Sequence, residues 1–191
     1  SELRVWIQTI KKELAESKAK DPSAKIAPFG VNIVALSSNK RMQQDIEVCI
    51  EEEVPLIITS MQPPKDVSKR VQAYGGLHFH DVTTLRHARK AIAAGVDGVV
   101  LVAAGAGGHA GTLNPFPFVQ EVRKEFDGTI CLAGGLSTGT DIVAAKALGA
   151  DLAYMGTRFI ASSEANAEEA YKQMIVASGT SDVVYTPQFT G

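Results

Sequence analysis

The sequence predicts an α/β fold, and three observations carry that prediction. Short apolar runs rich in strand formers alternate with amphipathic helical stripes along the whole chain. The alternation recurs every ~20–30 residues, the size of a βα unit, and yields about six strands. The strands are apolar throughout rather than alternately polar, as parallel strands covered on both faces are. An internal echo agrees: Ala93-Ala94-Gly95-Val96-Asp97-Gly98 and Ala147-Leu148-Gly149-Ala150-Asp151-Leu152 set the same helix stop and aspartate before a strand. A doubly wound sheet and a (β/α)8 barrel both satisfy this pattern.

The elements follow in order. Leu3, Trp6, Ile7, Ile10 and Leu14 fall at helical spacing opposite Lys11, Lys12, Glu13 and Glu16, which makes an amphipathic helix. Lys18 to Lys25 is a polar connector that Pro22 keeps from being helical. Phe29 to Leu36 reads as a buried strand interrupted only by Asn32, and Asn39 can cap the helix that carries Met42, Ile46, Cys49 and Ile50. Pro55 then starts the strand Leu56 to Ser60. Pro63-Pro64 opens a helix with Val67 and Val71, ended by Gly75-Gly76, and Leu77 to Val82 is the next strand. Leu85 to Ala94 is helical with Gly95 as its C-cap, before the strand Val99 to Ala103. Pro115 to Phe126 is a helix and Thr129 to Ala133 a strand. Asp141 to Leu148 is a helix stopped by Gly149, Leu152 to Met155 a strand, and Ala165 to Ala177 a final helix before Val183-Val184-Tyr185.

Composition bounds the function. The 191 residues suit one sizeable domain with a real core, with 45% hydrophobic and 21% charged residues. A net charge of −2 lacks the basic excess that a nucleic-acid or membrane-surface partner favours. Cys49 and Cys131 sit in apolar runs and read as reduced core thiols. With no apolar run of membrane length and no signal-peptide pattern, the cytoplasm is the expected location.

In either architecture ligands bind at the C-terminal ends of the parallel strands. Those ends offer Asn32, Ser60, His80, Asp81, the loop around His109, Gly134-Gly135 and Gly156-Thr157. The loop Gly105-Ala106-Gly107-Gly108-His109-Ala110-Gly111 isolates one imidazole among residues almost without side chains, so a ligand can lie against bare main chain there. His109 is the only side chain of the loop that can take up or release a proton. Gly134-Gly135 and Gly156-Thr157 follow adjacent strands, and glycine amides with a hydroxyl at such ends make a phosphate cradle. Asn32, a lone amide in an apolar strand, needs partners and suits a hydrogen bond to a ligand ring. His78 and His80 alternate on one strand face, yet no third residue completes a metal site. His87 lies on an amphipathic helix and reads as surface. Arg158 suits a phosphate or a pairing with Glu164. No G-x-G-x-x-G opens a first βα unit, which argues against a dinucleotide-binding sheet.

These motifs resemble the nitronate monooxygenase family, formerly called 2-nitropropane dioxygenases, which are FMN-dependent (β/α)8 barrels. The resemblance rests on Gly107-Gly108-His109-Ala110-Gly111, on Ala133-Gly134-Gly135, and on Leu148-Gly149-Ala150-Asp151 leading into Met155-Gly156-Thr157-Arg158-Phe159. It implies that His109 is the catalytic base and that Asn32 contacts the flavin. Gly107, Gly135 and the run Tyr154, Met155, Gly156 and Thr157 match positions around the ribityl phosphate chain, with Gly108 and Gly134 beside them. Three positions depart from the family pattern. Val102 and Gly105 stand where many members carry Gln or Asp and Glu, and Asp81 stands where some carry Lys. The glycine-rich strand under the flavin has no counterpart, so the expectation is an incomplete TIM barrel of about six βα units, lacking the first two strands and a C-terminal extension.

The implied reaction is oxidation of a nitronate or nitroalkane to a carbonyl compound and nitrite, with FMN passing electrons to O2. The expected partners are that small substrate and O2, without nucleic acid or membrane, and the open strand edges suit a homo-oligomer. Two further readings stay open. One is an FMN-dependent reductase using NAD(P)H with a quinone or enoyl-thioester acceptor. The other is a non-catalytic truncated barrel that binds a phosphate ligand or serves in assembly. A flavin-free phosphate-binding isomerase or lyase would want a Lys or paired carboxylates at strand ends.

Overall fold

A computed structural model describes residues 1–62, 66–186 and 188. Its six strands are β1 (Gly30–Ala35), β2 (Leu56–Met61), β3 (Leu77–Val82), β4 (Gly98–Val102), β5 (Thr129–Ala133) and β6 (Leu152–Tyr154). They form one parallel sheet in strict chain order, β1 to β6. That order separates the two architectures. A doubly wound sheet reverses its strand order at a switch point, whereas a barrel winds in one direction. The sheet is therefore the wall of an incomplete (β/α)8 barrel.

One-way winding with right-handed crossovers places the connecting helices on one side of the sheet. The elements are α1 (Glu2–Lys20), α2 (Met42–Glu51), α3 (Val67–Gln72), α4 (Leu85–Ala93), α5 (Pro115–Arg123), α6 (Gly139–Leu148), α7 (Thr157–Ile160) and α8 (Glu169–Ala177), with a 3-10 turn over Thr180–Asp182. Outward residues of β1 and β2, Ile33 and Ile57, pack with Ile7, Ile46, Val67 and Val71 of α1 to α3. Outward residues of β4 and β5, among them Leu101 and Leu132, pack with Ala88, Phe118, Val122 and Ala145 of α4 to α6. A third cluster, Ile58, Phe79, Val100, Cys131 and Ala133, lies on the inner face. Register sets Asn32, Ile58, Phe79, Gly98 and Thr129 in one inner row. A Cβ at Gly98 would lie 2.6 Å from the Phe79 ring, so that ring covers the bare backbone of the next strand.

The sequence echo has a structural cause. Asp97 accepts from the His78 amide at 2.8 Å and returns its own N–H to the His78 carbonyl. Asp151 does the same for Ile130, at 2.8 Å each way. Each aspartate clasps the start of its strand to the preceding one.

Several expectations need correction. β1 is an edge strand, so Asn32 and Val34 are exposed rather than buried. Asn39 does not cap α2: its side-chain Oδ1 accepts from the Arg41 amide, and Arg41 holds the cap position without a side-chain bond. The first helix runs to Lys20, past the expected start of the connector, and buries only Ile7 while Trp6 stays 59% exposed. Two ends came out shorter: α5 stops at Arg123, and α8 starts at Glu169. The short helix α7 was not anticipated. The opening of α3 at Pro63-Pro64 lies outside the described residues. Helix α6 fits its reading closely, with a Thr138–Asp141 capping box and Gly149 left-handed at φ 110°. No helix is long and apolar enough to cross a membrane among the described residues.

Candidate active site

The loops after β4, β5 and β6 meet at the C-terminal end of the sheet around a cleft of about 900 Å³. They are tied together by backbone. The Gly135 amide donates to the Gly105 carbonyl at 3.1 Å, and the Ala103 amide donates to the Ala133 carbonyl at 2.9 Å. Gly134 and Gly107 are both closely approached. Gly134 sits at φ 124°, and a Cβ there would lie 2.9 Å from the Ala104 carbonyl oxygen. A Cβ on Gly107 would lie 2.8 Å from the Thr157 hydroxyl.

The cleft gathers nine of the ten residues singled out from sequence: Gly107, Gly108, His109, Gly134, Gly135, Tyr154, Met155, Gly156 and Thr157. His109 is exposed, and its ring makes no hydrogen bond among the described residues, so both nitrogens face the opening free. The loop beneath it is steadied from the C-terminal side, where the Tyr185 hydroxyl donates to the Ala110 carbonyl at 2.7 Å. The phosphate cradle needs one revision. Gly135 already uses its N–H on Gly105, whereas the amides of Gly156 and Thr157 donate to no other group among the described residues. Two free donors therefore lie after β6, with the Thr157 hydroxyl beside Gly107. Barrels commonly hold phosphate at their last two strands.

Asn32 is the tenth residue and does not line the cleft. It borders a shallower hollow with Trp6, Val31 and Arg41 on the open side of β1. Its amide still reaches the inner wall, where it draws the Asp81 carboxyl downward against a larger upward push from burial; the net result is about 6.

Three residues outside the ten also line the cleft: Asp81, named only as a strand-end position, Thr83, and His87, read as surface. His87 is half-buried, with Nδ1 3.0 Å from the Thr83 hydroxyl, so it is not a surface residue. The signal for Asp81 was its place one residue after His80, which puts it on the inner face. Its Oδ1 is buried without a partner, alone in that respect among the described residues. Burial also lifts the Tyr154 phenol above its ordinary value, with the Asp81 charge adding to it. Arg158 pairs with no carboxylate among the described residues, so of its two readings the pairing with Glu164 does not form.

The other two histidines of the strand lie on the opposite face. His78 and His80 are buried, and both bond the Thr59 hydroxyl, through Nε2 at 2.8 Å and Nδ1 at 2.7 Å respectively. The Ser68 hydroxyl meets His78 Nδ1 at 2.7 Å. Burial pushes both imidazoles down to about 4, which keeps them neutral. No group of three metal-ligating side chains occurs among the described residues, so the pair is a polar seam in the helix layer.

Comparisons with known proteins agree with this fold. A family model described as nitronate monooxygenase matches residues 4–191. The (3aS,4S,5R,7aS)-5-hydroxy-7a-methyl-1-oxo-octahydro-1H-indene-4-carboxyl-CoA dehydrogenase of Rhodococcus jostii is 28% identical over 179 residues, 94% of this chain and 50% of that protein. A nitronate monooxygenase of Paraburkholderia phytofirmans is 31% identical over 151 residues, 73% of this chain and 41% of that protein. Among solved structures, a FabK mutant from Thermotoga maritima superposes with a TM-score of 0.73 at 32% identity, covering 87% of this chain and 56% of that one. The chain spans about half the length of the curated relatives it matches.

Proposed function

Because the chain belongs to the nitronate monooxygenase family, we propose that it is a flavin-dependent oxidoreductase that binds FMN in this cleft and oxidises nitronates or nitroalkanes with O2. The observation that carries this reading is the convergence of one free imidazole and two free amides on a single glycine-walled cleft. The cleft fits the cofactor on its own terms. Gly107 and Gly134 leave room that any side chain would fill, and an orphaned buried acceptor faces the same space.

In this reading Gly156 and Thr157 hold the phosphate by N–H donation, with the Thr157 hydroxyl beside them. Gly107, Gly108, Gly134, Gly135, Tyr154 and Met155 form the walls along the ribityl chain and ring, and Asn32 reaches the ring from β1. FMN when bound accepts the substrate's electrons and returns them to O2, which is the cofactor's own chemistry. The protein supplies orientation and proton transfer. His109 takes the carbon-bound proton of a nitroalkane, for which a neutral imidazole must come within hydrogen-bond reach of that carbon. The products are a carbonyl compound and nitrite.

The test is His109→Ala assayed on two substrates. Turnover of the neutral nitroalkane should fall by roughly 10²–10⁴-fold, while the preformed nitronate, which has no such proton to lose, should be far less affected. Equal turnover of the nitroalkane by both proteins would sink the assignment of His109.

A second reading has its own support. The longest of these alignments is with a protein named as a carboxyl-CoA dehydrogenase, and the FabK superposition covers most of the chain. The carboxyl-CoA name favours a flavin oxidoreductase acting on a thioester, with NAD(P)H as electron source in the reductive direction. Anaerobic mixing with NADH separates the two, since rapid flavin bleaching belongs to the reductase.

A further inference from the structure

Asp81 has an unusual place in this barrel wall. It is an inner-face residue of β3, paired in register with Val100, and the Val100 row continues to Cys131. Asn32 apart, it gains no help from the titratable groups beside it: burial and then the Asp81 carboxylate raise both the Cys131 thiol and the Tyr154 phenol. No arginine or lysine pairs with it among the described residues. Every other buried side-chain polar atom there has a partner, even in the crowded histidine seam on the outer face. A buried acceptor without a donor costs about 1–3 kcal/mol, and folded proteins rarely leave one so. Asp81 lines the cleft, so the donor it lacks can come from what the cleft binds.

The chemistry of that donor follows from the neighbour. The Asn32 amide lies beside the Asp81 carboxyl and opposes its desolvation. An acceptor with an amide next to it matches a planar group that offers an N–H flanked by a carbonyl. The imide edge of an isoalloxazine ring is such a group, and neither a phosphate nor an aliphatic substrate is.

We propose that Asp81 accepts the ring imide N–H of the bound flavin, and that Asn32 donates to the carbonyl beside it. The proposal rests on the flavin reading above and adds a positioning contact to it. Asp81 thereby fixes which edge of the ring faces the barrel axis, while the loop after β6 fixes the phosphate end.

The experiment measures dissociation constants for FMN and for FMN methylated at the imide nitrogen, by quenching of flavin fluorescence. The wild-type protein should prefer FMN by about tenfold or more, the worth of one hydrogen bond to a charged group. In Asp81→Ala that preference should collapse toward unity, because the lost acceptor and the new space both favour the methylated ring. Asp81→Asn, which keeps a carbonyl acceptor, should retain part of it. An undiminished preference in Asp81→Ala, with FMN still bound, overturns the assignment of Asp81 alone. Failure of the wild-type protein to bind either flavin overturns the flavin reading and this contact with it.

Discussion

The two faces of β3 solve the same problem in opposite ways. Its outward face carries His78 and His80, two polar side chains buried under the helix layer, and each finds a partner in Thr59. Its inward face carries Asp81, also largely buried, whose Oδ1 finds none. The outward pair lies in a seam between two hydrophobic clusters, closed by Ser68 at the start of α3. The inward carboxyl opens onto the cleft. A polar group that the fold completes belongs to the architecture, and one that the fold leaves incomplete points to a ligand. That contrast also explains why three histidines of one chain differ: His78 and His80 are held neutral by burial, while His109 stands free on a loop.

The contrast can be broken from either side. The largest effect on stability is expected from Thr59→Val, which keeps the shape but strips two imidazole nitrogens of their shared partner. At about 1–3 kcal/mol for each unsatisfied group, the loss should be roughly 2–6 kcal/mol. Denaturant unfolding at pH 7 measures it, and a change under about 0.5 kcal/mol would mean that the seam tolerates open hydrogen bonds.

Acid should act on the two faces with opposite sign. Both histidines titrate near 6.5 when unfolded and at about 4 when folded. Between those values the unfolded chain binds more protons, so stability falls as pH drops through that window. Asp81 is raised by burial from 3.8 to about 6. The folded state binds its proton first, so it adds stability as pH drops from about 6 to 3.8. Two imidazoles against one carboxyl leave a net loss toward acid, on the order of a few kcal/mol by pH 4. A stability curve flat between pH 7 and 4 would contradict this balance.

Smaller effects test the cleft itself. Gly134→Ala forces a left-handed φ and a 2.9 Å contact on the Ala104 carbonyl, so a loss of about 1–3 kcal/mol is expected, with weaker FMN binding. Asp81→Asn removes a buried charge and should raise stability at pH 7 by ~1 kcal/mol. It should also steepen the acid loss, since the opposing carboxyl is gone. Lowered stability at pH 7 would show that Asp81 has a partner within the fold.

Much of this was legible in the residues. Apolar strand runs and helix stops located all six strands, because a buried parallel strand and a glycine C-cap are local signals. The glycine loops and His109 were legible too, since their composition is set by close backbone approach. Asn32 reads as buried in the sequence and is exposed in the structure, because nothing local says that β1 lies at a sheet edge. Whether a side chain of β3 faces inward or outward was open until the register was known. One step along the chain separates His80, sealed by Thr59, from Asp81, left without a donor. By itself the sequence determined the alternation of elements, the family pattern and the glycine-walled loops, all of which depend on near neighbours. Only the tertiary structure decided the one-way strand order, the free amides after β6 and the orphaned carboxyl, because each depends on which distant backbone lies alongside.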